Sequence, residues 1–239
     1  MTGSWSPGAG ASTDAVRVGV VVPAAGSGAR MGGVRKPFLD LCGEPILLHA
    51  LRPFLADARV VSIMIALSPT DAADPPEWLV SLDHRIGVVA GGCTRGESVS
   101  RALAVLPGDL DVIAVHDAAR PLVPEQVVRD CLDAASTGIG AVAGSPAVDT
   151  FKTVDADAFV RSTPDRAALW HAHTPQAFPA EALRRAYREG AGGATDDAAL
   201  VERTGLRIRM IDDGAANLKV TRLHDVALAE TILRSRLAS

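Results

Sequence analysis

Several features that would indicate other classes of protein are missing from this 239-residue sequence. It has only three cysteines, Cys42, Cys93 and Cys131, which are far apart and form no CxxC pair, so neither a disulfide framework nor a zinc site is indicated. None of the six histidines has the HExxH spacing of a zinc protease. No run of about 18 apolar residues is present to span a membrane. We therefore expect a cytoplasmic protein without a membrane partner.

The sequence also lacks an excess of charge of one sign. Its 24 lysines and arginines stand against 28 aspartates and glutamates, which gives a net charge of -4 at pH 7. This balance provides no global field to attract nucleic acid, so we expect no nucleic-acid partner. Any bound anion must be held by a few locally placed cations.

The first residues, MTGSWSPGAGASTDA, have neither the basic start nor the apolar stretch of a signal peptide. Their small and polar composition predicts a disordered tail over residues 1–14. The chain as a whole is 48% hydrophobic and 22% charged, which is enough apolar content for a sizeable core. We predict a single domain over residues 15–239.

Short β-branched runs alternate with longer amphipathic segments along that domain. The runs are almost continuously apolar, as strands buried on both faces should be: VRVGVVV, RVVSIMIAL, IGVVAGG, DVIAVHDAA, IGAVAGSPAV and LRIRMID. Helical periodicity covers residues 44–56, 95–106, 124–136, 180–189, 196–204 and 223–237. The alternation predicts an α/β fold with a mostly parallel, doubly wound sheet.

One segment, at about 146–176, departs from that alternation. It reads PAVDTFKTVDADAFVRSTPDRAALWHAHTPQ, with short alternating pieces around the turn signal DADA and no clear helix. This pattern predicts an inserted β-hairpin arm.

A glycine-rich turn follows the first predicted strand, in the sequence VVVPAAGSGARM. Met31 replaces the third glycine of a dinucleotide fingerprint, and Val34 replaces the lysine of a P-loop. The turn that remains allows backbone N–H groups to approach a flat or anionic ligand at the carboxyl edge of the sheet. Arg30 and Lys36 add two cations, as a triphosphate requires. The alternative is a plain connector with solvated charges.

Two other segments are predicted to reach the same edge. In VAGGCTRGESVSRAL, Gly92 follows a strand and Ser98 lies in the first turn of a helix, where backbone and hydroxyl groups can bind the edge of a base. Asp117 ends a core strand and suits either a Mg²⁺ that bridges phosphates or an Asx turn. Lys219 and Arg166 are further candidate cations, although a solvated surface position is the common fate of such residues.

Eight ordered blocks of the sequence together resemble one family, the 2-C-methyl-D-erythritol 4-phosphate cytidylyltransferases of non-mevalonate isoprenoid biosynthesis. The blocks are PAAGSGARM, KPFL, GGCTRGESV, VHDAARP, DTFK, DRAALWHAHTPQ, TDDAALVE and NLKVTR. The resemblance implies a Rossmann-like sheet with a protruding β-arm that builds a homodimer. It also implies CTP and methylerythritol phosphate as substrates, with Mg²⁺ as the cofactor.

The resemblance further implies roles for individual residues. The implied catalytic residues are Arg30, Lys36, Arg166 and Lys219. The implied nucleotide-binding residues are Pro23, Ala24, Ala25, Gly26, Gly28, Gly92, Ser98 and Asp117, and the last of these also lies by the metal. The implied acceptor-binding residues are Arg120, Thr150, Thr174 and Thr195. Turn or capping roles suit the three threonines equally well.

Two departures from the family pattern bear on the site. Arg35 directly precedes Lys36 in a slightly shorter loop, so either residue can supply the loop cation, and we assign it to Lys36, three positions before the shared Leu39. Cys93 stands where the family often has an acidic residue, so we expect slightly altered contacts with the base.

Two alternatives to this function stay open at the level of sequence. A ribitol-phosphate or other sugar-phosphate cytidylyltransferase would use the same scaffold, although PAAG and LWHAHTPQ favour the first interpretation. A nucleotide-binding regulator without catalysis would not need the charged residues Arg30, Lys36, Asp117, Arg166 and Lys219 together, and pyrophosphate release would distinguish it from an enzyme.

Overall fold

The computed structural model describes residues 15–26, 35–190, 194–214 and 216–237. The strands are β1 (Val18–Pro23), β2 (Asp40–Leu41), β3 (Glu44–Pro45), β4 (Val60–Leu67), β5 (Ile86–Ala90), β6 (Val112–Val115), β7 (Gly140–Pro146), β8 (Thr153–Val154), β9 (Val160–Ser162), β10 (Trp170–Pro179) and β11 (Ile208–Asp212). The helices are α1 (Ile46–Leu55), α2 (Pro69–Ala73), α3 (Glu77–Val80), α4 (Arg95–Val105), α5 (Glu125–Ser136), α6 (Ala180–Glu189), α7 (Asp197–Glu202) and α8 (Leu223–Leu237). The predicted tail at residues 1–14 lies outside the described residues.

Seven of these strands form one sheet in the order β11-β7-β10-β6-β1-β4-β5. Neighbouring strands are parallel except for β10, which is antiparallel to both β6 and β7. The predicted α/β class with a mostly parallel, doubly wound sheet is therefore confirmed.

Helices cover both faces of the sheet, and the side chains of β1 show why its sequence is continuously apolar. Val18, Val20 and Val22 pack on one side into a cluster that includes residues of α1 and α5. Val21 packs on the other side with residues of α4, α6 and α7. All four valines are fully buried, as expected for a strand in the middle of a doubly covered sheet.

Strand β10 differs from the sequence-based expectation. The alternating polar pattern assigns residues as far as Gln176 to the arm, yet residues 174–178 are buried between β6 and β7. Thr174 and Gln176 are compatible with burial because their side chains form hydrogen bonds with other parts of the fold. The segment outside the main sheet is residues 147–169, shorter than the predicted 146–176. The short helices α2 and α3 are also absent from the prediction.

That segment contains the two-stranded antiparallel sheet β8–β9. Large apolar side chains are exposed along it and at the start of β10: Val148, Phe151, Val154, Phe159, Val160 and Trp170. A two-stranded hairpin is marginally stable in water when isolated, so these side chains form an apolar surface that lacks a covering layer in the single chain.

The strand order determines where a ligand can bind. From β1 the chain proceeds to β4 and β5 on one side, and it then returns to β6 on the other side. The crevice between the carboxyl ends of β1 and β6 is thus the switch point at which open α/β sheets bind ligands. No helix in the described ranges has the length and apolar character needed to cross a membrane.

Candidate active site

A cavity of about 400 Å³ opens at this switch point. It is lined by Pro23, Ala24, Ala25, Gly26, Lys36, Pro37, Gly92, Cys93, Thr94, Arg95, Ser98, Asp117, Ala118, Ala119 and Lys219. The structure thus brings together the candidate nucleotide-binding residues of three separate segments. Gly28 and Arg30 lie outside the described residues. A cavity of this volume suits a small-molecule ligand.

One wall is the loop between β5 and α4. The hydroxyl of Ser98 donates to the carbonyl of Thr94 at 3.0 Å and accepts from the backbone N–H of Gly92 at 3.0 Å. Gly91 must lack a side chain, because a Cβ atom there would lie 2.4 Å from that of Ala25. The turn after β1 and the turn after β5 therefore lie close together, and the hydrogen bonds of Ser98 hold the second turn in shape.

Asp117 forms the floor of the cavity and is only 7% exposed. Its Oδ1 accepts from Nε of Arg95 at 3.0 Å, and its Oδ2 accepts from Nζ of Lys219 at 2.6 Å. Burial tends to raise the pKa of this carboxyl, but the charges of Arg95 and Lys219 outweigh that effect and hold the pKa well below its ordinary value. Asp117 is therefore ionised at neutral pH.

The backbone of Asp117 is held from below by Thr174. The Thr174 hydroxyl accepts from the N–H of Asp117 at 3.0 Å and lies 3.1 Å from Nδ1 of His116. Nε2 of His116 lies 3.1 Å from the carbonyl of Arg120. Burial lowers the pKa of His116 to about 4, so the ring is neutral, with Nε2 donating to that carbonyl and Nδ1 accepting from Thr174. His116 and Thr174 thus support the floor without lining the cavity.

Arg120, one of the candidate acceptor-binding residues, is also buried behind the floor. Its Nη1 donates to the carbonyl of Asn217 at 2.7 Å, and its Nε lies 3.9 Å from Oδ2 of Asp117. Burial lowers the pKa of Arg120, against the opposing effect of Asp117. In this conformation Arg120 is not part of the cavity lining, although it lies close to Asp117, which is.

Three other candidates do not line the cavity within one chain. Arg166 and Thr150 are exposed on the arm, and Nη1 of Arg166 donates to the carbonyl of Val148 at 2.8 Å. Thr195 is exposed just before α7. The site within one chain consequently holds the nucleotide-side candidates but lacks these acceptor-side candidates.

The two adjacent cations of the first loop have different positions. Lys36 lines the cavity. Arg35 instead forms an ion pair with Asp71, and its guanidinium lies 4.8 Å from the centre of the Phe38 ring. This arrangement supports the assignment of the loop cation to Lys36.

Lys219 is anchored through its neighbours in the chain. The amide of Asn217 donates to the carbonyl of Thr174 at 3.0 Å and to Asp213 at 2.6 Å, and the N–H of Val220 donates to the carbonyl of Ala119 at 2.8 Å. These bonds tie the Lys219 segment to the base of the cavity, while the Lys219 side chain itself remains 43% exposed. It is thus positioned to meet a ligand.

Arg95 lines the cavity but is not among the residues singled out from the sequence. It is the first residue of α4, where the helix dipole disfavours a cation. An anionic partner can offset this unfavourable position, so a cation at a predicted helix start is the signal in the sequence that could have drawn attention to Arg95.

The cavity offers few ligands for a Mg²⁺ ion. Within the described ranges, no group of three or more histidine, cysteine, aspartate or glutamate side chains converges to hold a metal. Mg²⁺ commonly binds through one or two carboxylates while water and substrate phosphates complete its shell. Asp117 is the one carboxylate among the described lining residues and meets that requirement in number, although its Oδ2 would have to exchange Lys219 for the ion.

An ionised carboxylate and several cations around one cavity suit a nucleoside triphosphate. Comparison with known proteins agrees with this chemistry and shows that the chain is a nucleotidyltransferase enzyme. It belongs to the 2-C-methyl-D-erythritol 4-phosphate cytidylyltransferase (IspD) family, whose model matches residues 18–235. This confirms the family resemblance of the eight sequence blocks.

Proteins similar to this chain are named as members of that family. The 2-C-methyl-D-erythritol 4-phosphate cytidylyltransferase of Acidobacterium capsulatum is 39% identical, over 92% of this chain and 99% of its own length. That of Symbiobacterium thermophilum is 42% identical, over 91% of this chain and 93% of its own length. The crystal structure of the enzyme from Thermus thermophilus has 32% identity and a TM-score of 0.75, covering 92% of this chain and all of its own.

Replacing Thr174 tests its position beneath the floor. We expect Thr174→Val to lower the free energy of unfolding by about 1–3 kcal/mol, because the N–H of Asp117 and Nδ1 of His116 both lose a buried partner. Thr174→Ser keeps the hydroxyl and should remain near wild type. Urea unfolding followed by circular dichroism measures both. Wild-type stability of Thr174→Val, with only a raised KM for the acceptor, would instead make Thr174 a substrate contact.

Proposed function

We propose that the enzyme joins CTP to 2-C-methyl-D-erythritol 4-phosphate, giving 4-diphosphocytidyl-2-C-methyl-D-erythritol and pyrophosphate in non-mevalonate isoprenoid biosynthesis. The observation that carries this proposal is the cavity in which Lys36, Lys219 and ionised Asp117 meet beside the small-residue turns. The choice of acceptor rests on the relatives, which are named as 2-C-methyl-D-erythritol 4-phosphate cytidylyltransferases. The free thiols of Cys42, Cys93 and Cys131 agree with a reducing cytoplasmic location.

The reaction needs no general base. An oxygen of the acceptor's phosphate is already an anion and attacks the α-phosphorus of CTP, while the bond from that phosphorus to the pyrophosphate oxygen breaks. No proton has to move. Catalysis must therefore come from positioning and from charge stabilisation, which is the chemistry that fixed cations in a cavity provide.

The residues divide that work between the two anionic partners. Lys36 lines the nucleotide side and, with Arg30, would stabilise charge that develops on the phosphoryl oxygens. Lys219 would hold the acceptor's phosphate in line, together with Arg166. Asp117 would hold a Mg²⁺, which would offset the negative charge of the phosphates.

We further propose a homodimer in which the arm of one subunit completes the site of the other. Two observations support it: the apolar side chains of the arm are exposed, and Arg166 and Thr150 do not line their own chain's cavity. A second copy related by a two-fold axis would cover the apolar surface and bring both residues to a cavity.

The first experiment measures pyrophosphate release from CTP with a panel of polyol phosphates. We expect methylerythritol phosphate to be the preferred acceptor, by kcat/KM. Faster turnover of ribitol phosphate would overturn the acceptor assignment. CTP binding without any release of pyrophosphate would indicate a regulator.

The second experiment tests the loop cations. We expect Lys36→Met and Arg30→Ala to lower kcat about a hundredfold, or ~3 kcal/mol of transition-state stabilisation, with little change in CTP affinity. Arg35→Ala is the matched control and should be mild, because Arg35 is paired with Asp71 outside the cavity. Steady-state kinetics and CTP titration separate the effects. A loss in Arg35→Ala as large as in Lys36→Met would reverse the assignment of the two residues.

The third experiment tests the shared site by subunit exchange. Lys36→Ala and Arg166→Ala, each expected to be inactive, are unfolded and refolded together. Random pairing makes half the dimers mixed, and each mixed dimer has one intact site if the arm crosses over, so about a quarter of wild-type activity should return. Mixed dimers demonstrated by tag capture that stay inactive would refute the crossing arm and leave it a structural contact.

A further inference from the structure

Arg95 lies between two buried carboxylates. Its Nε donates to Oδ1 of Asp117 at 3.0 Å, and its Nη2 lies 2.8 Å from Oδ2 of Asp197. Asp197 is completely buried and does not line the cavity. One guanidinium therefore connects the floor of the cavity to a charged group deeper in the fold.

The two carboxylates stabilise the charged form of Arg95. Burial disfavours the charged form, but Asp197 and Asp117 together raise the pKa of Arg95 above its ordinary value. The two carboxylates also offset the unfavourable dipole at the start of α4. An arginine suits the position because its planar fork can bind two acceptors at once, whereas a lysine offers only a point charge.

Asp197 is itself held from several elements. The hydroxyl of Tyr187, on α6, donates to Oδ1 of Asp197 at 2.5 Å. The N–H of the next residue, Ala198, donates to Oε1 of Gln176 on β10 at 2.9 Å. Asp197 is thus held by contacts with other elements, and Arg95 connects it to Asp117.

We propose that Arg95 is a positioning residue that, held by Asp197, fixes the orientation of the Asp117 carboxylate. Occupying Oδ1 leaves Oδ2 directed towards Lys219 and the cavity. Without Arg95, the remaining cations, Lys219 and the more distant Arg120, would both lie on the Oδ2 side, and Oδ1 would no longer be held in place. This inference rests on the proposed function, because the consequence is measured in that reaction.

The experiment separates the contact with Asp117 from the pairing with Asp197. Three variants are compared with wild type: Arg95→Gln, Asp197→Asn and the double variant. Arg95→Gln alone leaves Asp197 buried without its cation and should lower the melting temperature. The double variant replaces the Arg95–Asp197 ion pair with a neutral pair of similar shape. Its melting temperature should therefore be higher than that of Arg95→Gln alone. Asp197→Asn is the matched control, because it keeps Arg95 on Asp117.

We expect the double variant to melt near Asp197→Asn but to have a kcat about tenfold lower, because a displaced Asp117 misaligns the reacting groups. Equal kcat values in these two variants would overturn the proposal and leave Arg95 a structural partner of Asp197. A raised KM for CTP at unchanged kcat would also overturn it, by making Arg95 a direct nucleotide contact. Failure of the proposed function would look different from failure of this inference. In that case the wild-type enzyme itself would release no pyrophosphate from CTP and 2-C-methyl-D-erythritol 4-phosphate.

Discussion

The structure around the cavity depends on keeping one carboxylate, Asp117, ionised at a nearly buried strand end. Removing such a charge from water is costly unless cations and hydrogen-bond donors replace the lost hydration. Arg95 and Lys219 supply the cations, and Thr174 holds the backbone. Arg95 is in α4, Lys219 is in the segment that precedes α8, and Thr174 is in β10. The requirements of a single charged group thus tie distant elements of the chain to one point.

The same arrangement explains how a chain with a net negative charge can bind two anionic substrates. Its field is local: Lys36, Lys219 and Arg95 line one cavity at the switch point of the sheet, while most other charges lie elsewhere on the surface. In a partly enclosed site such fixed cations are more effective than in bulk water. A reaction whose nucleophile is already charged requires little beyond that. This agrees with the described lining, which has no histidine and in which the Ser98 hydroxyl is used to hold the β5–α4 loop.

The arm follows a different physical rule. Residues 147–169 leave the main sheet and expose apolar side chains that a single chain does not cover. Arg166 and Thr150 are on this same segment, outside the cavity of their own chain. The proposed second copy would cover the apolar surface and bring Arg166 and Thr150 to a cavity, so one proposal accounts for both features.

Much of this protein was determined by local sequence. The apolar runs and helical periodicity predict the layers, the eight blocks predict the family, and the turn after β1 predicts one wall of the cavity. Other features were decided only by the tertiary structure. The polar alternation of β10 resembles an exposed strand, and its burial depends on partners elsewhere in the chain, such as Asp196 for Gln176. Arg95 looks like an ordinary helix residue until folding places Asp117 and Asp197 on either side of it. Periodicity is a property of neighbouring residues, whereas ion pairs and buried hydrogen bonds depend on distances between segments that only packing establishes.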